Sequence, residues 1–256
     1  METTFKHRIS KGSRFNQIYI PKEMERTFKV GNLVEIRLIE KELFYSKNLK
    51  LGEFKEKLIK EIFSFLSQYK QIEQSYIVGS FLTSKADYND IDIILIAKKD
   101  IKEVHNYLTD KFNLKFHVIC MTKENLEKLL RIDPLTRSMF YYCASHDKLP
   151  EFKKEIDKKH LQFLLMMPED LLEINTSSKL YYDSLRRLLT IEKFLENKSE
   201  DPQEINRELQ KLIKPNMLLS LKANEIIEGK ALEEIRDIIK SKLKIIKGII
   251  KGRLDE

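Results

Sequence analysis

The chain reads as three regions of different class: a small N-terminal β-hairpin unit (1–47), an α/β core in which helices flank a sheet (48–150), and a C-terminal all-helical domain (151–256). Three observations carry this. Short β-branched and aromatic runs surround Pro21 and Gly31, apolar runs alternate with helical periodicities from Leu51 to Ser145, and strand signals vanish after Pro150.

In the first region, residues 1–12 are polar. Ser13-Arg14-Phe15-Asn16-Gln17-Ile18-Tyr19-Ile20 has strand composition, Pro21 opens a short helical turn over 21–26, and Lys29-Val30-Gly31-Asn32 supplies a turn at positive φ. Leu33-Val34-Glu35-Ile36-Arg37-Leu38-Ile39 alternates as a second strand, and Leu43-Phe44-Tyr45 closes the unit. So small a piece buries little apolar surface alone, which predicts dimerisation or docking. Basic residues outnumber acidic ones here, and Arg8, Lys11 and Arg14 are candidates for a phosphate-contacting face. The alternative is an ordinary solvated β-unit that only dimerises or packs on its neighbour.

From Leu51, the set Leu51, Phe54, Leu58, Ile62, Phe65 and Tyr69 has helical spacing. A strand ending at Gly79, a short helix, a strand carrying Asp90 and Asp92, a helix near 100–112 and a strand over 114–121 follow. Helices near 123–131 and 134–145 complete the core. Beyond it, helices are predicted over 151–167, 175–197, 202–213, 216–228 and 231–252, with Ser199-Glu200-Asp201-Pro202 as a turn and helix start. In the last helix, Ile239, Leu243, Ile246 and Ile250 form a core stripe rimmed by Lys240, Lys244, Lys247 and Lys251.

The chemistry concentrates in residues 76–96. An apolar run, Tyr76-Ile77-Val78, ends in Gly79-Ser80; nine residues intervene before Asp90-Ile91-Asp92 opens a second apolar run. A strand places residues i and i+2 on one face, so Asp90 and Asp92 project together. Paired carboxylates repel unless a cation lies between them, and Mg²⁺ or Mn²⁺ prefers such oxygen ligands. Gly79 lets the backbone approach a ligand closely, and Ser80 offers a hydroxyl and an N–H to an anion. Phosphate at one end and metal at the other describe a nucleoside triphosphate site. Lys85, in the connecting segment, is either a phosphate contact or a solvated loop lysine.

This spacing resembles the signature of the polymerase-beta-like nucleotidyltransferase superfamily, carried here by Gly79, Ser80, Asp90 and Asp92. The resemblance implies a mixed sheet with flanking helices and Mg²⁺-dependent transfer of a nucleoside monophosphate from an NTP to an acceptor hydroxyl. It also implies a third carboxylate on a later strand. In Leu114-Lys115-Phe116-His117-Val118-Ile119-Cys120-Met121 that place is held by His117. An imidazole accepts protons but binds Mg²⁺ poorly, so His117 is either a substitute catalytic base or a polar residue at a degenerate position. The N-terminal segment resembles the AbrB/SpoVT swapped-hairpin domain through Ile20-Pro21-Lys22-Glu23, Gly31-Asn32 (Asn where Asp is usual) and Val34-Glu35-Ile36. That implies a homodimer whose basic side chains touch DNA. Two functions therefore stand: a transferase acting on a protein, RNA or small-molecule acceptor, and a dimeric DNA-binding regulator whose core binds nucleotide with weak or no turnover.

Composition narrows the field. The net charge of +7, from 47 basic and 40 acidic residues, suits nucleotide or nucleic-acid partners without requiring them. Cys120 and Cys143, the only cysteines, fit a reducing cytoplasm, and neither they nor the five histidines have zinc-ligand spacing. The N-terminus lacks a signal peptide's apolar core, and no apolar run approaches the ~20 residues of a membrane span. There is no Gly-rich Walker loop and no Gly-x-Ser-x-Gly elbow.

Overall fold

The computed structural model describes residues 4–36, 41–46, 49–83, 88, 90–99, 101–147 and 152–252. Lys85 and the expected region boundaries at 47/48 and 150/151 lie outside the described residues. Contacts divide the chain into two units, Met1–Lys41 and Glu42–Glu256.

In the first unit a tight turn joins two short antiparallel strands, β1 (Ser10–Lys11) and β2 (Asn16–Gln17). Gly12 N–H donates to Phe15 O at 3.0 Å, and a Cβ on Gly12 would lie 2.5 Å from that oxygen, so only glycine fits the turn. Pro21 precedes a 3₁₀ turn at Lys22–Met24, and Gly31 takes φ +93°, both as the sequence predicts. Among the described residues the two long strands are not formed. Strand pairing over 13–20 is confined to Asn16–Gln17, and residues 33–36 carry no strand, with Arg37–Ile39 outside the described residues. Strands persist where their apolar side chains meet a second layer. Here Phe15 is 78% exposed, and Val30 and Leu33 are fully exposed.

The second unit supplies those layers. Its mixed sheet comprises β3 (Phe44–Tyr45), β4 (Gln74–Val78), β5 (Ile91–Ile96), β6 (Phe116–Met121) and β7 (Cys143–Ser145), in the order β3-β7-β4-β5-β6. Among the described strands β5 and β6 alone run parallel, linked by a crossover helix. Two helices, α1 (Glu53–Leu66) and the crossover α2 (Lys102–Phe112), send Leu58, Ile59, Ile62, Val104 and Leu108 against Ile77, Ile91, Ile93 and Leu95. On the opposite face α3 (Lys123–Ile132) and α4 (Pro134–Phe140) bring Leu126, Leu130 and Phe140 onto Tyr76, Val78, Ile94 and Ile96. Each fully buried Ile, Leu or Phe contributes about 1.5–3 kcal/mol, so these two apolar layers hold the sheet.

Two expectations are corrected here. Phe44–Tyr45 pair with β7 rather than closing the N-terminal unit. The helix expected over 134–145 ends at Phe140, and Cys143–Ser145 enter the sheet between β3 and β4. A three-residue strand paired on both sides takes its stability from neighbours distant in sequence, so no local periodicity announces it.

The helical part packs around α6 (Ser178–Leu195), which buries Tyr181, Leu185, Leu188, Leu189, Ile191, Phe194 and Leu195. Around it lie α5 (Lys158–Asp170), α7 (Pro202–Leu212), α8 (Pro215–Ala223) and α9 (Gly229–Gly252). The expected core stripe Ile239, Leu243, Ile246 and Ile250 is buried. The first helix starts at Lys158 rather than Glu151, because Asp157 accepts from His160 N–H at 3.0 Å and caps it there. Among the described residues no helix is long and apolar enough to cross a membrane.

Candidate functional site

The predicted site residues of the second unit gather at one end of the sheet. β4 delivers Gly79, the starts of β5 and β6 deliver Asp92 and His117, and Asp90 immediately precedes β5. Val78 is the register partner of Asp92. Gly79 adopts φ +82°, and a Cβ there would lie 2.8 Å from Asp92 Oδ2. Glycine is therefore required twice, by the backbone conformation and by the carboxylate against it.

In the parallel β5–β6 ladder Asp92 is opposite His117. His117 Nδ1 is 3.1 Å from Asp92 Oδ1, with side chains 59% and 23% exposed respectively. Phe116 and Val118 turn to the opposite face, into the cluster of Ile91, Ile93 and Leu95, as the strand alternation predicts. When Nδ1–H donates to Asp92, Nε2 keeps its lone pair. Burial raises the Asp92 carboxyl above its usual pKa; the His117 hydrogen bond opposes this and the charge of Asp90 adds to it.

Ser80 is exposed and begins a 3₁₀ turn, Ser80–Leu82. This corrects the expected short helix. Three residues sum no appreciable macrodipole, so Ser80 offers an anion only its own hydroxyl and N–H. Phe81 and Leu82 are wholly buried, and Thr83 donates both N–H (3.0 Å) and Oγ1 (2.7 Å) to Ser80 O.

Two further side chains shape this end. Lys55 Nζ on α1 donates to Phe81 O and Thr83 O, both at 2.8 Å. Its signal in sequence is a lysine in line with the apolar stripe of Leu58, Ile59 and Ile62. Tyr142 O, immediately before β7, accepts Gly79 N–H at 3.0 Å, while its buried phenol donates to Asp201 Oδ1 at 3.1 Å. Burial, then the Asp201 charge, hold that phenol well above its ordinary pKa, so it remains a donor. Asp201 also caps α7, which ties the helical part to the site end of the sheet.

The donor set suits Mg²⁺ only in part. Two carboxylates are the protein share that such an ion usually takes, the remainder being phosphate oxygens and water. Among the described residues no group of three or more His, Cys, Asp or Glu is arranged to hold a metal, so His117 is not assigned as a third ligand. Arg8, Lys11 and Arg14 lie in the other unit, all exposed. No family model, no curated protein and no solved structure matches this chain.

Proposed function

We propose that the protein is a Mg²⁺-dependent nucleotidyltransferase that moves a nucleoside monophosphate from an NTP to an acceptor hydroxyl. The observation that carries this reading is the packing of Asp92 against the Cα of Gly79 on one side and the His117 imidazole on the other, with Asp90 beside it. Asp90 and Asp92 would hold the cation, which supplies charge neutralisation for the phosphates. Ser80 would donate its N–H and hydroxyl to the departing pyrophosphate. The acceptor oxygen attacks the α-phosphorus, the bond to the β-phosphate bridging oxygen breaks, and pyrophosphate leaves. His117 Nε2 takes the acceptor's proton while Asp92 orients the ring and stabilises the imidazolium. Positioning and charge provide most of the rate. The reducing cytoplasm suits Cys120 and Cys143, neither of which is in a disulfide.

A specific observation favours the second reading, a dimeric DNA-binding regulator with a weakly active or inactive core. The N-terminal unit leaves Phe15, Val30, Leu33 and Ile36 more than two-thirds exposed, and Arg8, Lys11 and Arg14 of the same unit are exposed too. Such surface suits a second copy, and the basic groups suit DNA phosphates. Incubating the protein with each α-labelled NTP and Mg²⁺ or Mn²⁺ in cell extract separates the two. Label transferred to an acceptor, and lost with Asp92→Asn, supports the enzyme. Absence of transfer with every NTP, together with retained nucleotide binding, supports the regulator.

A further inference from the structure

We infer that Lys55 is a positioning residue that clamps the Gly79–Ser80 turn to α1 and so sets where a nucleotide's phosphates are received; this rests on the nucleotidyltransferase reading. The turn is too short to hold itself. Among the described residues, Leu82 N–H to Gly79 O (3.2 Å) and Thr83 N–H to Ser80 O close its backbone, two bonds for a turn of this length. Lys55 adds charge-assisted bonds from one ammonium to Phe81 O in the turn and to Thr83 O just after it.

The same ammonium lies 5.3 Å from the centroid of the Phe81 ring and 5.0 Å from that of Tyr88, and the two rings meet edge to face at 4.9 Å. Tyr88 belongs to the far end of the segment joining β4 to β5, so a single cation gathers both ends of the connection between Ser80 and Asp90. Its platform is stiff, because Leu58, Ile59 and Ile62 of α1 pack in the same core as Phe81 and Leu82. Burial also lowers the Lys55 pKa, consistent with an ammonium withdrawn from water to serve these carbonyls. Hydrophobic packing of Phe81 fixes the depth of the turn, while Lys55 fixes its twist and hence the heading of the Ser80 N–H.

The test uses the full chain and Lys55→Met, which keeps the length of the side chain and removes its donors. Amide exchange of Leu82 and Thr83 is expected to accelerate roughly tenfold or more, with Ile93 on β5 unchanged. The dissociation constant for α,β-methylene-ATP with Mg²⁺ is expected to rise roughly tenfold, well below the melting temperature, and Lys55→Arg is expected to recover part of it. A lower melting temperature with unchanged exchange at 82–83 would reduce Lys55 to a general stabiliser and overturn the inference, as would unchanged affinity in Lys55→Met. If the unsubstituted protein binds no NTP, the nucleotidyltransferase reading fails. The exchange arm then still decides the clamp, upheld by faster exchange at 82–83 and refuted without it.

Discussion

The N-terminal unit and the sheet around Asp92 are written in the same vocabulary of Val, Ile, Leu and Phe, yet they treat these residues in opposite ways. Ile93 and Leu95 of β5 are completely buried between the neighbouring strands and α1 and α2. Leu33 and Val30 are completely exposed; the strand expected over 13–20 shrinks to Asn16–Gln17, and residues 33–36 carry no strand. β-propensity is thus a tendency to fit a half-buried pleated surface, and it is realised only where another layer supplies the burial. The same contrast separates the two candidate functions. Acidic and imidazole groups sit in the ordered sheet, where their geometry is fixed, whereas Arg8, Lys11 and Arg14 sit on the unit whose apolar surface is unfinished.

The largest effect expected from either region is on ligand binding by the sheet. Asp90→Asn and Asp92→Asn should each abolish Mg²⁺-dependent nucleotide binding while the fold survives, as read by calorimetry with a non-hydrolysable ATP analogue and by circular dichroism. Asp92→Asn should in addition stabilise the metal-free fold, because burial disfavours the carboxylate that the substitution removes. The sign follows from the raised pKa: the folded state holds the proton more tightly, so stability falls as pH rises through the folded value, and the neutral amide removes that loss. Denaturation midpoints that are equal above and below that value would contradict it.

Core truncation draws the contrast in stability. Ile94→Ala should cost about 2–5 kcal/mol, whereas Leu33→Ala should lie within about 0.5 kcal/mol in a monomeric sample. Urea unfolding measures both, and comparable costs would show that the N-terminal apolar residues are covered in solution. Gly79→Ala comes next, at about 1–3 kcal/mol, from strain at φ +82° together with the 2.8 Å approach to Asp92 Oδ2. Combining it with Asp92→Ala should cost less than the sum of the two single changes, since the carboxylate is gone; strict additivity would mean that backbone strain alone accounts for it.

His117→Asp should raise Mg²⁺-dependent transfer, and His117→Ala should lower it, if the imidazole stands in for a carboxylate beside Asp92. Equal rates in all three proteins would remove His117 from the chemistry. The smallest energetic effect, and the most direct for the N-terminal unit, concerns association. Light scattering should give a dimer for the full chain and a monomer for a chain beginning at Glu42, with Leu33→Ser weakening the dimer. Monomers throughout would leave the swapped-hairpin reading without support.

Much of the site end could be read in advance because strand alternation is local. The period of two places His117 on the face of Ile119 and sends Phe116 and Val118 to the core, whatever lies beyond. β7 could not be read, since three residues hold no period and its partners, Phe44–Tyr45 and Tyr76–Val78, are far away in the chain. Lys55 was legible only as an anomaly, a charge in line with an apolar stripe, because its two carbonyl partners are 26 and 28 residues distant.

What the amino-acid sequence determined by itself is therefore the list of parts: the Gly79-Ser80 and Asp90-x-Asp92 groupings, the helices of the C-terminal half through their spacing, and the Pro21 and Gly31 turns through φ preferences. Only the tertiary structure decided that Asp92 meets both Gly79 and His117, that Lys55 holds the turn, and that the N-terminal strands stay short. The physical reason is range. Backbone preference and side-chain alternation act within a few residues, whereas register, burial and charge pairing are set by which segments the cores bring together.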